Sequence, residues 1–315
     1  MNLSPVQTAP ARSPDRRHAE LVPIRSMDLE AVCQFLHERL NQTISPAAWK
    51  NAYAQSWLEA PINHGCMLVD EDRVVGAFMA LHSEQTVQGR QERFCNLGNW
   101  VVLEGYRRQS LSLMRTLLNQ PDTHFTLLAA NQTVARILAT QGFTPLSGQV
   151  AILSTVRWPS RMASRVIEER SELLSVLPPE AARDCRHHRP FPWLRQLAIG
   201  DRNGFCHLIY KPGKQGRFTH ANVLHLNDPV LFATHFPALS RHLLMRHGIT
   251  SVQVPHHLLP VAPPGARTVV DPKPGLFRSD RLSEQDLSYL YTEIMTLDRS
   301  ACDPPHSAPE PTTNQ

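Results

Sequence analysis

Residues 102 to 118 read Val102-Leu-Glu-Gly-Tyr106-Arg107-Arg108-Gln109-Ser110-Leu111-Ser112-Leu113-Met-Arg-Thr-Leu-Leu118. An apolar strand ends at Val102, two arginines mark a polar turn, and Leu113, Leu117 and Leu118 follow at helical spacing. A helix that starts at such a turn presents its first backbone N–H groups and the positive end of its dipole to whatever lies above it. That is a cradle for a phosphate-type anion. Glycine would allow the closest backbone approach. Ser110 and Ser112 keep the N–H groups and add hydroxyl donors, but their side chains take up space.

The elements around this stretch follow from periodicity. Upstream, a strand covers about Phe94 to Val102, and Cys66 to Leu81 holds two apolar runs around an acidic turn, a hairpin pattern. Leu29, Val32, Cys33, Leu36 and Leu40 form one face of a helix after Asp28. Trp49, Tyr53 and Trp57 stand four residues apart and suggest a second short helix whose aromatic stripe reads as core. Downstream, His124 to Ala130 reads as a buried strand, and Gln132 to Gln141 as a helix ended by Gly142.

Three segments in order carry a resemblance. Arg73-Val-Val-Gly76 opens the second hairpin strand, Arg107 to Ser112 forms the turn, and Asn131-Gln-Thr-Val134-Ala-Arg-Ile-Leu138-Ala-Thr-Gln-Gly142-Phe143 follows. Over about 70 residues these resemble the apolar-Gly strand, the R-x-x-G-x-G/A loop and the N-x-x-A…G-F segment of the GNAT superfamily of acyl-coenzyme A acyltransferases. Ser110 and Ser112 stand at the two glycine positions. The resemblance implies an α/β (α+β) fold in which two strands splay apart and the pantetheine arm lies in the opening, pairing as an added strand would. It implies acetyl-coenzyme A or another acyl-coenzyme A as substrate. Trp100, Val101 and Val102 would supply strand backbone, Arg107, Arg108, Gln109, Ser110, Leu111 and Ser112 the pyrophosphate loop, and Asn131 a contact to the arm. Many members place a proton-donating tyrosine seven residues after the asparagine; this chain has Leu138 there. Glu104 is the nearest candidate general base, and Asn96 and Asn99 on the strand are candidates to orient an acceptor. Two functions stay open: transfer of an acyl group, acetyl being expected, to an amine or hydroxyl of unidentified acceptor, and a non-catalytic ligand-sensing or protein-interaction module.

The second half repeats the element order. A helix is expected from about Ser160 to Leu177, stopped by Pro178-Pro179. Leu194 to Ile199 and Phe205 to Lys211 flank Gly-Asp-Arg-Asn-Gly, another hairpin signal. Thr219 to Leu226 reads as a strand, Asn227-Asp228-Pro229 opens a helix, and Ser251 to Pro255 is the strand after it. A final helix is expected from Ser283, with Asp286 three residues on, through Leu287, Leu290, Tyr291 and Ile294. At the phosphate-loop position stands Asn227-Asp228-Pro229-Val230-Leu231, with neither glycine nor arginine. The expected architecture is two GNAT-like domains, 19–155 binding acyl-coenzyme A and 156–300 degenerate, each a mixed, mostly antiparallel sheet flanked by helices. The Pro-rich polar ends, 1–18 and 301–315, are expected to be disordered.

Composition narrows the classes. With 315 residues, the chain has room for two modest cores. No run of 18 apolar residues occurs, so membrane insertion is not expected. The stretch Met1 to His18 lacks the apolar core of a secretory signal, and the six cysteines are scattered without a C-x-x-C pair. A cytoplasmic protein with free thiols is the expectation. The formal charge of +4 suits an anionic ligand and is equally ordinary for a soluble protein. His187-His188 and His256-His257 lack a third ligand at metal spacing, so no metal is expected. Arg107-Arg108 is too short a basic stripe for nucleic acid, and Lys211 to Arg217 reads as a solvated turn.

Overall fold

The computed structural model describes residues 18–55, 57–58, 63–156, 164–261 and 263–298. The two expected tails, apart from His18, and residues 157–163 lie outside the described residues.

The first half opens with β1 (Glu20–Pro23), α1 (Leu29–Arg39) and α2 (Pro46–Tyr53). Ser45 caps α2 by accepting from the Ala48 N–H at 3.2 Å, and Pro46 suits its first turn. Next come β2 (Gly65–Asp70), β3 (Arg73–Val87) and β4 (Arg90–Val102). Glu71 and Asp72 at the β2–β3 turn have φ of 46° and 62°, the pair of left-handed residues that a tight hairpin turn demands. A 3-10 turn (Glu104–Gln109) leads into α3 (Ser110–Leu118), followed by β5 (Thr123–Leu127), α4 (Gln132–Ala139), β6 (Thr144–Pro145) and β7 (Gln149–Ser154).

The second half runs β8 (Arg165–Ile167), α5 (Arg170–Val176), α6 (Pro179–His187), β9 (Arg195–Asp201), β10 (Gly204–Gln215) and β11 (Phe218–Leu226). It closes with α7 (Pro229–His247), β12 (Ile249–Pro255), β13 (Arg267–Val270), β14 (Leu276–Arg278) and the short α8 (Glu293–Thr296).

Two seven-stranded mixed sheets result, in the orders β1-β2-β3-β4-β5-β14-β6 and β13-β7-β12-β11-β10-β9-β8. Each contains one parallel pair, β4 with β5 and β11 with β12, joined through a helix, as parallel strands require. The sheets exchange strands. β7 pairs with β12 and β13 in the second sheet, and β14 pairs with β5 and β6 in the first. In the first sheet, Phe78, Ala80 and Leu97 pack against Leu113, Leu117 and Leu138 of α3 and α4. The opposite face sets Met79 and Leu81 against Val32, Leu36, Trp49 and Tyr53 of α1 and α2. Each such fully buried large apolar side chain contributes about 1.5–3 kcal/mol.

Two sequence expectations are corrected. The helix expected over Ser160 to Leu177 is, in its described part, the strand β8 and the seven-residue α5. Pro178-Pro179 does stop α5, which ends at Val176, and Pro179 also occupies the first turn of α6, where its missing N–H has no cost. The helix expected from Ser283 is a single 3-10 turn (Glu284–Asp286) with its capping box formed, and only Glu293–Thr296 is helical beyond it. The intervening chain runs between the halves: Leu287 packs with Phe94 and Leu146, while Leu290, Tyr291 and Met295 pack with Phe191, Ile209 and Leu224. Tyr291 has φ of 62°, a strain of about 1–3 kcal/mol for such a residue. It is held there by its hydroxyl, which donates to Asp184, and by its N–H, which donates to His188 Nε2 at 3.2 Å. Trp57 lies past the end of α2 and packs on Tyr291 with ring centroids 4.9 Å apart.

Candidate functional site

The pairing of β4 with β5 covers only Arg93 to Asn96 opposite Thr123 to Thr126. Beyond Asn96, β4 continues to Val102 along β3 while, among the described residues, no strand borders its other side. The strands diverge, and a cleft of about 670 Å³ opens between α3 and α4. Trp100, Val102, Met114, Val134 and Ile137 give it apolar walls, and Arg107, Arg115 and Arg136 give it three guanidinium groups. Among the described residues, no carboxylate lines it. Trp100 is fixed by stacking on Phe78, with centroids 4.8 Å apart.

Of the residues named from sequence, Trp100, Val102, Arg107, Ser110 and Leu111 line this cleft. Val101 faces the α1–α2 side of the sheet. Arg108 and Ser112 are exposed beside the opening, and the Gln109 side chain bonds the Ala19 backbone at 3.0 and 2.7 Å. The Ser110 N–H turns back on to the Arg107 carbonyl, closing the 3-10 turn on to α3. The start of α3 thereby offers fewer free N–H groups than an open helix start, which leaves its first ones unbonded. Asn131 is the N-cap of α4, its side-chain oxygen accepting from Val134 N–H at 2.9 Å. Leu138 is fully buried in the core under α4 and does not reach the cleft. Tyr106 is buried, with its hydroxyl donating to Asp70 on the far side of the loop. Glu104 is exposed at the start of the 3-10 turn.

On the opposite face of β4 lies a buried polar cluster. The register of β3 with β4 slips between Phe78 opposite Trp100 and Ala80 opposite Leu97, so Gly98 and Asn99 form a bulge. There the Asn99 amide donates to the Tyr53 hydroxyl at 2.8 Å and to Glu293 Oε2 at 3.1 Å, and the Tyr53 hydroxyl donates to Glu293 Oε2 at 3.2 Å. The Glu293 N–H donates to Asn96 Oδ1 at 2.9 Å, and the Asn96 amide donates to Thr126 Oγ1 at the same distance. Asn96 and Asn99, named from sequence, therefore meet a carboxylate from α8, at the far end of the chain. Nothing near Glu293 in sequence signals that role. Tyr53 also belongs to the aromatic core stripe, with its ring stacked on Trp49.

The second half has the same divergence, since β11 pairs with β12 only as far as Asn222 opposite Gln253. Its helix start is closed. Asp228 caps α7 by accepting from Leu231 N–H at 2.8 Å, and Pro229 removes a further donor. All five described cysteines are free and buried. Among the described residues, no helix is long and apolar enough to cross a membrane.

No family model and no curated protein matches the sequence. Solved structures do match. A conserved protein of unknown function from Enterococcus faecalis V583, described as a probable N-acyltransferase, aligns with a TM-score of 0.56 at 13% identity, over 85% of this chain and 74% of that one. A GCN5-related N-acetyltransferase from Anabaena variabilis ATCC 29413 aligns with a TM-score of 0.54 at 12% identity, over 82% of this chain and 72% of that one. Both alignments are long enough to take in both halves. The chain therefore has the GNAT N-acetyltransferase fold, with a second half of the same architecture whose corresponding helix start is closed by Asp228 and Pro229.

Proposed function

We propose that the chain binds an acyl-coenzyme A, acetyl-coenzyme A being the expected form, in the cleft beside β4 between α3 and α4, and transfers its acyl group to an amine or hydroxyl. The observation that carries this reading is the cleft itself: an apolar groove beside an unpaired strand edge, bordered by Arg107, Arg115 and Arg136 and, among the described residues, by no acid. The groove suits a pantetheine arm added as a strand, and the guanidinium groups suit phosphates. Residues 19–155 serve as the binding unit, and 156–300 as the companion that covers the acceptor face. A cytoplasmic setting is supported by the free, buried thiols.

With the arm in the cleft, the thioester lies toward the bulge at Gly98 and Asn99. The amine nitrogen attacks the carbonyl carbon, the C–S bond breaks, and the proton lost by the amine passes to a base. Glu293 is the carboxylate nearest the bulge and takes that role, with Asn99 and Tyr53 orienting it. The departing thiolate, with a thiol pKa of about 8.5 by analogy with cysteine, leaves without a dedicated acid. General acid help is worth about 10²- to 10⁴-fold, so turnover is slow.

A second reading, a ligand-sensing or interaction module, is favoured by one feature: Glu293 is only 3% exposed, under chain that packs against both halves. Steady-state thiol release from acetyl-coenzyme A with a panel of amines and amino sugars separates the two. The enzyme reading expects slow release that Glu293→Gln abolishes while binding persists. Binding with no release across the panel supports the second reading.

A further inference from the structure

Away from the cleft, one cluster brings three metal-ligating atoms together from separate elements. Glu168 directly follows β8, and His242 and His247 lie near the end of α7. Histidines five residues apart diverge by about 140° around a regular helix at 100° per residue. Here both rings nevertheless reach the same carboxylate oxygen. His247 Nε2 is 2.7 Å from Glu168 Oε1 and His242 Nε2 is 3.1 Å from it. All three donor atoms lie within 4.8 Å of one another.

The two contacts differ. His247 makes a directed hydrogen bond to Glu168. His242 Nε2 is buried from solvent and its nearest partner is the same oxygen, at 3.1 Å and outside good hydrogen-bond geometry, so it is satisfied only as an ion pair. A buried ring nitrogen so weakly satisfied is destabilising. A cation that takes this nitrogen as a ligand satisfies it and the carboxylate together.

We propose that Glu168, His242 and His247 form a divalent-cation site on the second half, with Zn²⁺ as the ion it takes. Two imidazoles and one carboxylate suit zinc, whereas magnesium and calcium want oxygen alone. Zinc–ligand bonds of about 2.0–2.2 Å put tetrahedral ligands roughly 3.3–3.5 Å apart, so small side-chain rotations close the set around an ion. The side chains keep 19%, 31% and 30% exposure for His242, His247 and Glu168, which leaves the fourth position to water. Three protein ligands with one open position make a reversible site rather than a closed structural one. Arg241 and Arg246 border the adjoining surface hollow and moderate the affinity by repulsion. Bound zinc ties the chain at β8 to the end of α7.

The test uses the untagged, metal-stripped full chain with zinc chloride, read by calorimetry and by thermal melting. The site predicts one zinc per chain and a melting temperature that rises with zinc concentration. His242→Ala and His247→Ala each weaken zinc binding by roughly tenfold or more. Glu168→Gln keeps an oxygen for the His247 hydrogen bond, so it weakens zinc binding while melting in the presence of a chelator stays near that of wild type. His256→Ala leaves zinc binding unchanged. Absence of zinc binding to the wild-type chain at micromolar concentration overturns the proposal, as does wild-type affinity in both histidine variants.

Discussion

At Gly98, a Cβ would stand 2.3 Å from the Tyr53 hydroxyl. The glycine is required by this close approach rather than by its backbone angles, because the hydroxyl must reach Asn99 and Glu293 across it. Gly98→Ala is therefore expected to cost about 1–3 kcal/mol in a packed site, and Tyr53→Phe to recover part of that cost by removing the obstructing oxygen. Urea unfolding of the two single variants and the double variant measures the coupling. An equal cost of Gly98→Ala in both backgrounds would place the crowding elsewhere. The same comparison shows which site residues sequence could supply. Arg107 and Ser110 lie in one short turn whose local order is visible in the chain, and Trp100 and Val102 follow from the strand before it. Glu293 stands 194 residues from Asn99 and joins it only through tertiary packing. Arg115 and Arg136 were hidden among ordinary helix residues, since their meaning depends on which helix face borders the cleft.

Among the elements, β7 and β14 change the account most. β7 lies between β12 and β13, and β14 between β5 and β6, so each sheet is completed by a strand from the other end of the fold. A fragment ending at residue 155 keeps β7 without its partners and leaves the β5 edge from Phe125 to Leu127 unpaired. Exposed apolar edges of this kind associate. Such a fragment is expected to sediment as aggregates and to lack a cooperative melting transition, and a monomer that melts cooperatively would show the exchange to be dispensable. The apolar parts of β3 and β4, up to Leu81 and from Phe94, were legible as was α7, but the polar stretch by which both strands continue to Val87 and from Arg90 carries no such signal. Strands of two to four residues, β6, β8, β13 and β14, are too short to show a period. The helix expected after Ser283 failed for a different reason. Leu287, Leu290 and Tyr291 bury their side chains in separate contacts between the halves, which a helix with one apolar face could not reach.

The molecule as a whole carries several histidines that burial holds neutral. Burial pushes His82, His188 and His257 down to about 4 and His207 to about 3, and it holds His225 well below the ordinary 6.5. In the unfolded chain these groups take up protons near 6.5, so between that value and about 4 the unfolded state binds more protons than the folded one. Stability is therefore complete above pH 6.5 and falls as pH drops through this window, by up to about 1.4 kcal/mol per pH unit for each such group. Urea midpoints at pH 7 and pH 5 should differ clearly, and equal midpoints would mean that these rings are not sealed from solvent. Binding in the cleft of the first half is measured by calorimetric titration of the full chain with acetyl-coenzyme A. One site per chain is expected, weakened by Arg107→Ala and lost when Ile137→Trp fills the cleft. Two equivalent sites, or no heat with acetyl, propionyl or longer acyl thioesters at millimolar concentration, would contradict acyl-coenzyme A binding in that cleft alone.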